Sequence, residues 1–211
     1  MDERDRKVKV LSLGVLMSFF YLNDFLFMPV HNYREWLFVD YAVRIAAVAV
    51  ILYLIKKHRA TPADFGLVKL DLKQGVTWSV LASAAGVLVD QVGTGLLEKL
   101  SSSLKPATFP VIKNLSLKVI DLTAGIALVS VTEELIFRAF FYTVMKRVIP
   151  KPAAMIMISS LLFGLMHWSQ GLNIIIVAGL WAILPMYVMV RTGSVVPALI
   201  AHYVTDFVAF I

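Results

Sequence analysis

Residues 119–145, VIDLTAGIALVSVTEELIFRAFFYTVM, are apolar enough to cross a bilayer, yet they carry two glutamates and an arginine near the centre. An apolar stretch of about 17–25 residues spans a hydrocarbon core about 30 Å thick as a helix. Because a helix satisfies its own backbone polar groups in lipid, this stretch predicts a transmembrane helix. Its charged residues lie where charge is costly, and they need a structural or chemical explanation.

The composition of the whole chain is that of a membrane protein. Hydrophobic residues make up 59% of the 211 residues and charged residues 16%, whereas soluble proteins average about 45–50% and about 25%. A soluble globule of this length could not bury so much apolar surface, and a disordered chain has the opposite composition. The sequence contains no cysteine, which excludes disulfides, thiolate metal sites and cysteine nucleophiles.

Seven apolar runs predict an all-α polytopic membrane protein, a bundle of about seven transmembrane helices with the active site inside the bundle. The predicted spans are Val10–Val30, Trp36–Ile55, Val76–Leu97, Val119–Met145, Ala153–Trp168, Leu172–Val190 and Ser194–Ile211. The segment Thr61–Gly75 alternates polar and apolar residues and is expected at the cytoplasmic membrane surface. No small-residue cleavage site precedes Pro29, so the first span is expected to be retained.

The basic residues predict the orientation of the chain, because they are enriched in cytoplasmic connections. With the N-terminus inside, the cytoplasmic segments hold thirteen Lys and Arg residues and the outer segments hold five. We therefore expect a cytoplasmic N-terminus and an external C-terminus. The net charge of +6 comes from these short clusters between apolar runs, a pattern that does not indicate nucleic-acid binding.

Several ionisable residues fall inside the predicted spans, where each charge costs at least ~2.5–3.5 kcal/mol and is a candidate functional group. Asp40 and Arg44, four residues apart on one helix face, predict a structural ion pair. Asp121 is expected in the first turn of its helix, where the helix dipole favours an anion. Asp24 and Asp90 have no local partner and are expected to line a polar cavity or to pair across helices.

The fourth span contains adjacent glutamates that point in different directions. Side chains of neighbouring residues diverge by about 100° around a helix. Glu134 can therefore pair with Arg138, four residues further on, which predicts a structural ion pair. Glu133 lies on another face and has no counter-charge on its own helix.

Two further spans supply imidazole groups. Phe163 and His167 share one face of the fifth span, and His202 and Asp206 share one face of the seventh. A carboxylate with two imidazoles suits water activation and oxyanion stabilisation. Together with Glu133, these histidines predict a catalytic site built from three helices, with Phe163 as a supporting, packing residue.

The motifs EELIFR (133–138), FGLMH (163–167) and RTGSVVPALIAHYVTD (191–206) resemble EExxxR, FxxxH and HxxxN/D of the CPBP family. That family is named for CAAX proteases and bacteriocin processing and is also called Abi. The resemblance covers roughly residues 119–211, with weaker support from DFGLVK at 64–69. It implies an intramembrane glutamate-type endopeptidase that hydrolyses peptide bonds and is related to the enzyme that trims CAAX proteins after prenylation.

The resemblance also implies a role for each matching residue. Glu133 matches the residue that activates water, and His167 matches its partner. His202 matches the first residue of the pair that stabilises the oxyanion. Glu134 and Arg138 match supporting residues of the first motif.

Asp206 departs from the better-understood CAAX proteases, which have an asparagine at the matching position. An asparagine amide donates a hydrogen bond, whereas an ionised aspartate cannot donate and would repel an oxyanion. Either burial keeps Asp206 protonated, or Asp206 orients His202 as a cationic donor. We favour the neutral, protonated donor.

The same resemblance divides the single membrane domain, residues 1–211, into a part with accessory helices and the interfacial segment (1–118) and a catalytic part (119–211). The expected partners are membrane lipids and a peptide or protein substrate, either prenylated or bacteriocin-like, and no cofactor is expected. The absence of cysteine and the short loops favour a prokaryotic cell membrane.

Three alternatives stay open at this point. A zinc hydrolase would use Glu133, His167, His202 and Asp206 as metal ligands, although the sequence lacks an HExxH helix. A non-proteolytic scaffold or immunity protein would keep the motifs for architecture. A transporter would also use intramembrane charges, and a helix kinked at Pro185 is compatible with one. The sequence shows no inverted repeat, however, which argues against a transporter.

Overall fold

The computed structural model describes residues 3–27, 32–57, 59–100 and 110–211, and these ranges contain helices but no strand. The helices are α1 (Glu3–Phe27), α2 (Tyr33–Lys56), α3 (Leu72–Leu100), α4 (Leu115–Met145), α5 (Pro152–Met166), α6 (Leu172–Thr192) and α7 (Val196–Phe210). Short 3₁₀ turns occur at Pro62–Phe65 and Trp168–Gln170. Each predicted span corresponds to one helix, which confirms the all-α fold class.

Length and hydropathy identify the helices that can cross a membrane. Within the described ranges these are α2, α3 over Leu72–Leu97, α4 and α6. Helices α5 and α7 are apolar but shorter, with 15 residues each, which corresponds to about 22 Å. The chain is therefore an integral membrane protein whose long and short helices are packed together.

Helix α4 lies at the centre of the bundle and contacts α1, α2, α5, α6 and α7. Every residue from 132 to 141 is buried, so this part of the helix is enclosed on all sides. The helix also contains two π segments, Asp121–Gly125 and Leu135–Phe140. The second directly follows Glu134, and π segments inside α-helices frequently occur at functional sites.

The start of α4 corrects the interpretation of Asp121. The helix begins at Leu115, four residues before the predicted span, with Asn114 as its N-cap. Asp121 therefore lies beyond the first turn, where the helix dipole has little effect on a carboxylate. Instead, its carboxylate accepts a hydrogen bond from the hydroxyl of Tyr41 on α2, at 2.6 Å.

Helices α5 and α6 approach each other closely at two glycines. A Cβ atom on Gly164 would lie 2.5 Å from the carbonyl oxygen of Ile175 and 3.0 Å from the Cα atom of Gly179. Small residues allow membrane helices to pack backbone against backbone, because lipid provides no hydrophobic drive for association. This contact fixes α5, which ends next to His167, against α6.

The segment between α2 and α3 is held to the bundle at two points. Thr61 and Asp64 form a capping box around the turn Pro62–Phe65, and the ring of Phe65 is fully buried against Phe140 of α4. The Nζ atom of Lys9 lies 2.8 Å from the carboxylate of Asp64. The predicted interfacial segment is thus partly a core element, and α3 already begins at Leu72.

The ion pair between Lys9 and Asp64 predicts a pH-dependent contribution to stability. Partial burial opposes ionisation of Asp64, but hydrogen bonds from Lys9 and Thr61 outweigh it and hold the pKa of this carboxyl below its usual value. A carboxyl with a lowered folded-state pKa stabilises the protein above its unfolded-state pKa, and this stabilisation is lost as the pH falls through the folded-state pKa. We expect Asp64→Asn to lower the free energy of unfolding at pH 7 by up to about 1 kcal/mol, because the amide lacks the charge that pairs with Lys9.

Thermal unfolding of both forms in detergent measures this effect. The difference in melting temperature should be largest near pH 7 and should shrink in acid, where the wild-type carboxyl is also protonated. Glu3→Gln is the control, because its ion pair with Lys7 is exposed and contributes little. A difference of the same size at pH 7 and at pH 3 would contradict the role of the ionised carboxylate.

Candidate active site

Glu133 is held by a buried arginine from another helix. Its Oε1 atom accepts a hydrogen bond from Nη1 of Arg44 at 2.8 Å. Arg44 also donates from Nε to both carboxylate oxygens of Asp40, at 3.0 and 2.9 Å. The predicted pair between Asp40 and Arg44 is therefore confirmed, but Arg44 has a second partner, Glu133, 89 residues away in the sequence.

Glu134 points away from Glu133 and contacts two other groups. Its Oε1 atom lies 2.9 Å from Nδ1 of His202 on α7. Its Oε2 atom lies 3.2 Å from Nε of Arg138, which confirms the predicted intrahelical ion pair. The hydrogen bonds of the adjacent glutamates of α4 therefore lead to different helices, α2 for Glu133 and α7 for Glu134, as expected from their divergence around the helix.

His202 joins the carboxylates of α4 and α7. Its Nε2 atom lies 3.4 Å from Oδ2 of Asp206 and 3.8 Å from Oε2 of Glu133. A carboxylate accepts hydrogen bonds when ionised, so Nδ1 carries the proton that His202 shares with Glu134. The opposite ring nitrogen, Nε2, is the one that faces Glu133 and Asp206.

His167 follows the last residue of α5 and uses the end of that helix. Its Nδ1 atom lies 3.0 Å from the carbonyl oxygen of Phe163, one of the carbonyls that lack a helical partner at a C-terminus. A carbonyl only accepts, so Nδ1–H donates and Nε2 is the acceptor nitrogen of the neutral ring. The ring of Phe163 packs against both histidines, with centroids 5.1 Å from His167 and 6.0 Å from His202.

Two cavities meet at these residues. The smaller has a volume of about 170 Å³, and its lining includes Glu133, His167, His202 and Asp206. The larger has a volume of about 520 Å³, and it shares His167, His202 and Asp206 with the smaller one. The four residues predicted to be catalytic therefore lie together, and three of them separate one cavity from the other.

The lining of the cavities answers the question left open for the unpaired aspartates. Asp90 was expected either to line a polar cavity or to pair across helices. It lines the larger cavity, and its carboxylate accepts a hydrogen bond from the side chain of Gln91. The side chain of Asp24 lies outside those that the structure describes. Helices α1 and α2 add to the smaller cavity Asn23, Trp36 and Arg44, which the sequence did not assign to the site.

Three groups near the histidines escaped the sequence analysis, each for a physical reason. Trp181 packs its ring 4.7 Å from that of His202, but an aromatic residue in an apolar helix gives no distinct signal. Arg44 already had a partner four residues away, which hid its role toward Glu133. Asn23 is a polar residue within an apolar run, and this was the feature of the sequence that could have indicated its place in the site.

Arg138 is fully buried, yet it lines neither cavity. Its guanidinium carbon lies 4.0 Å from the ring centroid of Phe163, and its Nη1 and Nη2 atoms have no hydrogen-bond partner among the described residues. The charge is balanced by Glu134 and by the face of the aromatic ring. Arg138 therefore joins α4 to α5 as a structural group.

We expect Arg138→Ala to damage folding rather than substrate binding, because it leaves Glu134 buried without its arginine. Removing one partner of a buried ion pair costs about 3–5 kcal/mol. The melting temperature in detergent should fall sharply, whereas Arg191→Ala, at an exposed arginine in the last turn of α6, should leave it nearly unchanged. An Arg138→Ala protein as heat-stable as wild type, with a greatly raised KM, would instead assign Arg138 to substrate binding.

The described side chains do not form a metal-binding arrangement. Within the ranges that the structure describes, no group of three or more His, Asp or Glu side chains is arranged to hold a metal ion.

The comparisons with known proteins agree with the motifs. Residues 115–208 match the family model described as type II CAAX prenyl endopeptidase, Rce1-like. Searches of the curated proteins and of the solved structures gave no match. The match begins at the first residue of α4 and extends almost to the end of α7, so it includes both glutamates and both histidines. It confirms the resemblance: residues 115–208 are similar to the CAAX prenyl endopeptidases, a family of peptidases.

Proposed function

We propose that this protein hydrolyses peptide bonds inside the membrane with a water molecule activated by Glu133 and His167. The observation that carries the proposal is the common cavity wall formed by Glu133, His167, His202 and Asp206. These side chains come from α4, α5 and α7, and their charges are enclosed where isolated charges are costly. Intramembrane ionisable groups that line a cavity are expected to serve function.

We assign different tasks to the two oxygens of Glu133. Oε1 is occupied by Arg44, which fixes the orientation of the carboxylate. Oε2 lies 3.8 Å from Nε2 of His202, and we assign to it the acceptance of a proton from water. His167 lines the same cavity as Glu133, and Nε2 of its neutral ring provides a second acceptor for the same water.

The reaction then proceeds in two balanced steps. The activated water adds through its oxygen to the scissile carbonyl carbon, and one of its protons passes to the base formed by Glu133 and His167. Nε2–H of His202 donates to the oxyanion of the tetrahedral intermediate. Collapse of the intermediate breaks the C–N bond, and the base returns its proton to the leaving amine.

The proposed substrate is a peptide or protein that reaches the site from the membrane, either prenylated near its C-terminus or bacteriocin-like. The family description favours a prenylated CAAX sequence, so a farnesylated CAAX peptide is the first probe. The proposed setting is a prokaryotic cell membrane with the N-terminus on the cytoplasmic side, in keeping with the excess of basic residues in the predicted inner segments.

We expect Glu133→Gln to abolish cleavage of this peptide by purified protein in lipid nanodiscs, while the protein stays folded. A general base contributes about 10²–10⁴-fold, and an amide cannot take the proton. Arg44 keeps Asp40 as a partner, which limits the structural damage. Glu35→Gln, at an exposed glutamate of α2, is the matched control and should retain full activity.

Cleavage by Glu133→Gln at a tenth or more of the wild-type rate would exclude Glu133 as the base. Loss of wild-type activity with strong chelators, and its recovery with zinc, would favour the zinc hydrolase instead. Full complementation by Glu133→Ala in cells would favour the scaffold. Proteomics of membranes from wild type and Glu133→Ala identifies the natural substrate as a precursor that accumulates in the variant.

We expect Asp206→Asn to preserve activity, because the proposal treats Asp206 as a neutral donor and an amide is its permanent analogue. Charge balance supports this role. The ion pairs join the carboxylates of Asp40, Glu133 and Glu134 to the guanidinium groups of Arg44 and Arg138. A cationic His202, protonated on both ring nitrogens, balances this ion-paired cluster only if Asp206 is neutral.

A pH–rate profile of both forms measures this role. The wild type should lose activity at high pH as Asp206 ionises, whereas the variant should lack that loss. If Asp206 instead serves as the anionic partner of His202, the amide weakens the imidazolium and reduces kcat. A folded Asp206→Asn protein slowed a hundredfold would rule out the neutral donor.

A further inference from the structure

Asn23 places an amide group of α1 in the wall of the smaller cavity. The residue is 5% exposed, and it lines the same cavity as Glu133, His167 and His202. Its Oδ1 atom has no hydrogen-bond partner among the described residues. Buried polar atoms are nearly always paired in native proteins, so an unpaired carbonyl oxygen on a residue that lines a cavity indicates a donor that arrives with a ligand.

The position of Asn23 is fixed by its neighbours in α1. The hydroxyl of Tyr21 donates to the carbonyl oxygen of Leu162 at 2.6 Å, and Nε1 of Trp168 donates to the backbone oxygen of Tyr21 at 3.0 Å. These bonds tie α1 to the residues on both sides of His167. Asn23 is thereby held in the wall of the cavity that Glu133 and His167 also line.

The other polar groups of this cavity limit the chemical class of ligand that could bind next to Asn23. Asp40, Asp121, Glu133 and Asp206 are carboxyl groups, so most of the acceptors in the wall belong to acids. Asn23 offers a neutral acceptor, which can pair with a neutral donor without leaving a carboxylate charge to be balanced. A peptide segment that is extended for cleavage carries such donors, because each of its backbone N–H groups needs a partner in a low-dielectric site.

We infer that Asn23 is a substrate-binding residue whose side-chain carbonyl accepts a hydrogen bond from a backbone N–H of the bound peptide. The inference rests on the proposed function and adds to it, because α1 then contributes directly to substrate binding. The carboxamide holds the peptide beside the scissile bond and takes no part in proton transfer. Its loss therefore weakens binding more than it slows the chemical step.

An ester scan of the farnesylated CAAX peptide tests the inference. In each member of the series one backbone amide is replaced by an ester, which removes a single N–H and keeps the shape of the chain. With wild-type protein in nanodiscs, we expect one ester to raise KM roughly three- to tenfold with little change in kcat, the loss of one net hydrogen bond.

The substitution Asn23→Leu completes a double-mutant cycle with the ester. The variant should raise KM for the all-amide peptide by a similar factor, and the sensitive ester should then have no further effect, because the same hydrogen bond is already absent. Ser18→Ala is the matched control in α1, since the hydroxyl of Ser18 donates to Val15 of the same helix and Ser18 lines neither of these two cavities. It should leave KM and the ester profile unchanged.

Several outcomes would overturn the inference and remain distinct from failure of the proposed function. If no ester changes KM for the wild type, Asn23 has no backbone partner, whether or not Asn23→Leu folds. If the effects of Asn23→Leu and of every ester multiply independently, the bond is made elsewhere. If the wild type binds the peptide without cleaving it, the proposed function is overturned, and an ester scan that measures Kd decides the role of Asn23. If the wild type neither binds nor cleaves the peptide, the proposed function and the inference are both overturned.

Discussion

The cost of burying charge in a hydrocarbon layer is the constraint on which this structure depends. Lipid gives no hydrophobic drive for helix association, so polar contacts and close packing determine which helices meet. Arg44 reaches from α2 to Glu133, and His202 reaches from α7 to Glu134. Removing either partner would leave an uncompensated charge in a medium of low dielectric. The groups proposed for catalysis therefore also hold the bundle together, and α4 lies at its centre because it carries both glutamates.

Local sequence patterns predicted the parts of the site that lie on one helix. The intrahelical pairs of Asp40 with Arg44 and of Glu134 with Arg138 follow from a spacing of four residues, which places both side chains on one face. The contact of Arg44 with Glu133 could not be predicted in this way, because no periodicity links residues on helices far apart in the sequence. The partner of Asp121 escaped for a related reason, since it depends on where α4 begins and on the neighbouring α2.

The divergence of adjacent side chains explains how one short motif performs two tasks. Glu134 is fully buried between Arg138 and His202, so it fixes the orientation of the imidazole and has no access to water. Glu133 points the other way, and only one of its oxygens is engaged by Arg44. The carboxylates differ in role because a rotation of about 100° sends them to different surroundings. A π segment begins at the next residue, where the helix must accommodate the buried Arg138.

The cavity wall also relates the family-matched part of the chain to the helices that precede it. Residues 115–208 contain the glutamates and histidines of the motifs, but the guanidinium that balances Glu133 belongs to α2 and the buried amide of Asn23 belongs to α1. Without Arg44, Glu133 would lose the guanidinium that donates a hydrogen bond to its carboxylate. The motif residues alone therefore do not define this site: its electrostatic balance requires groups that the first two helices provide.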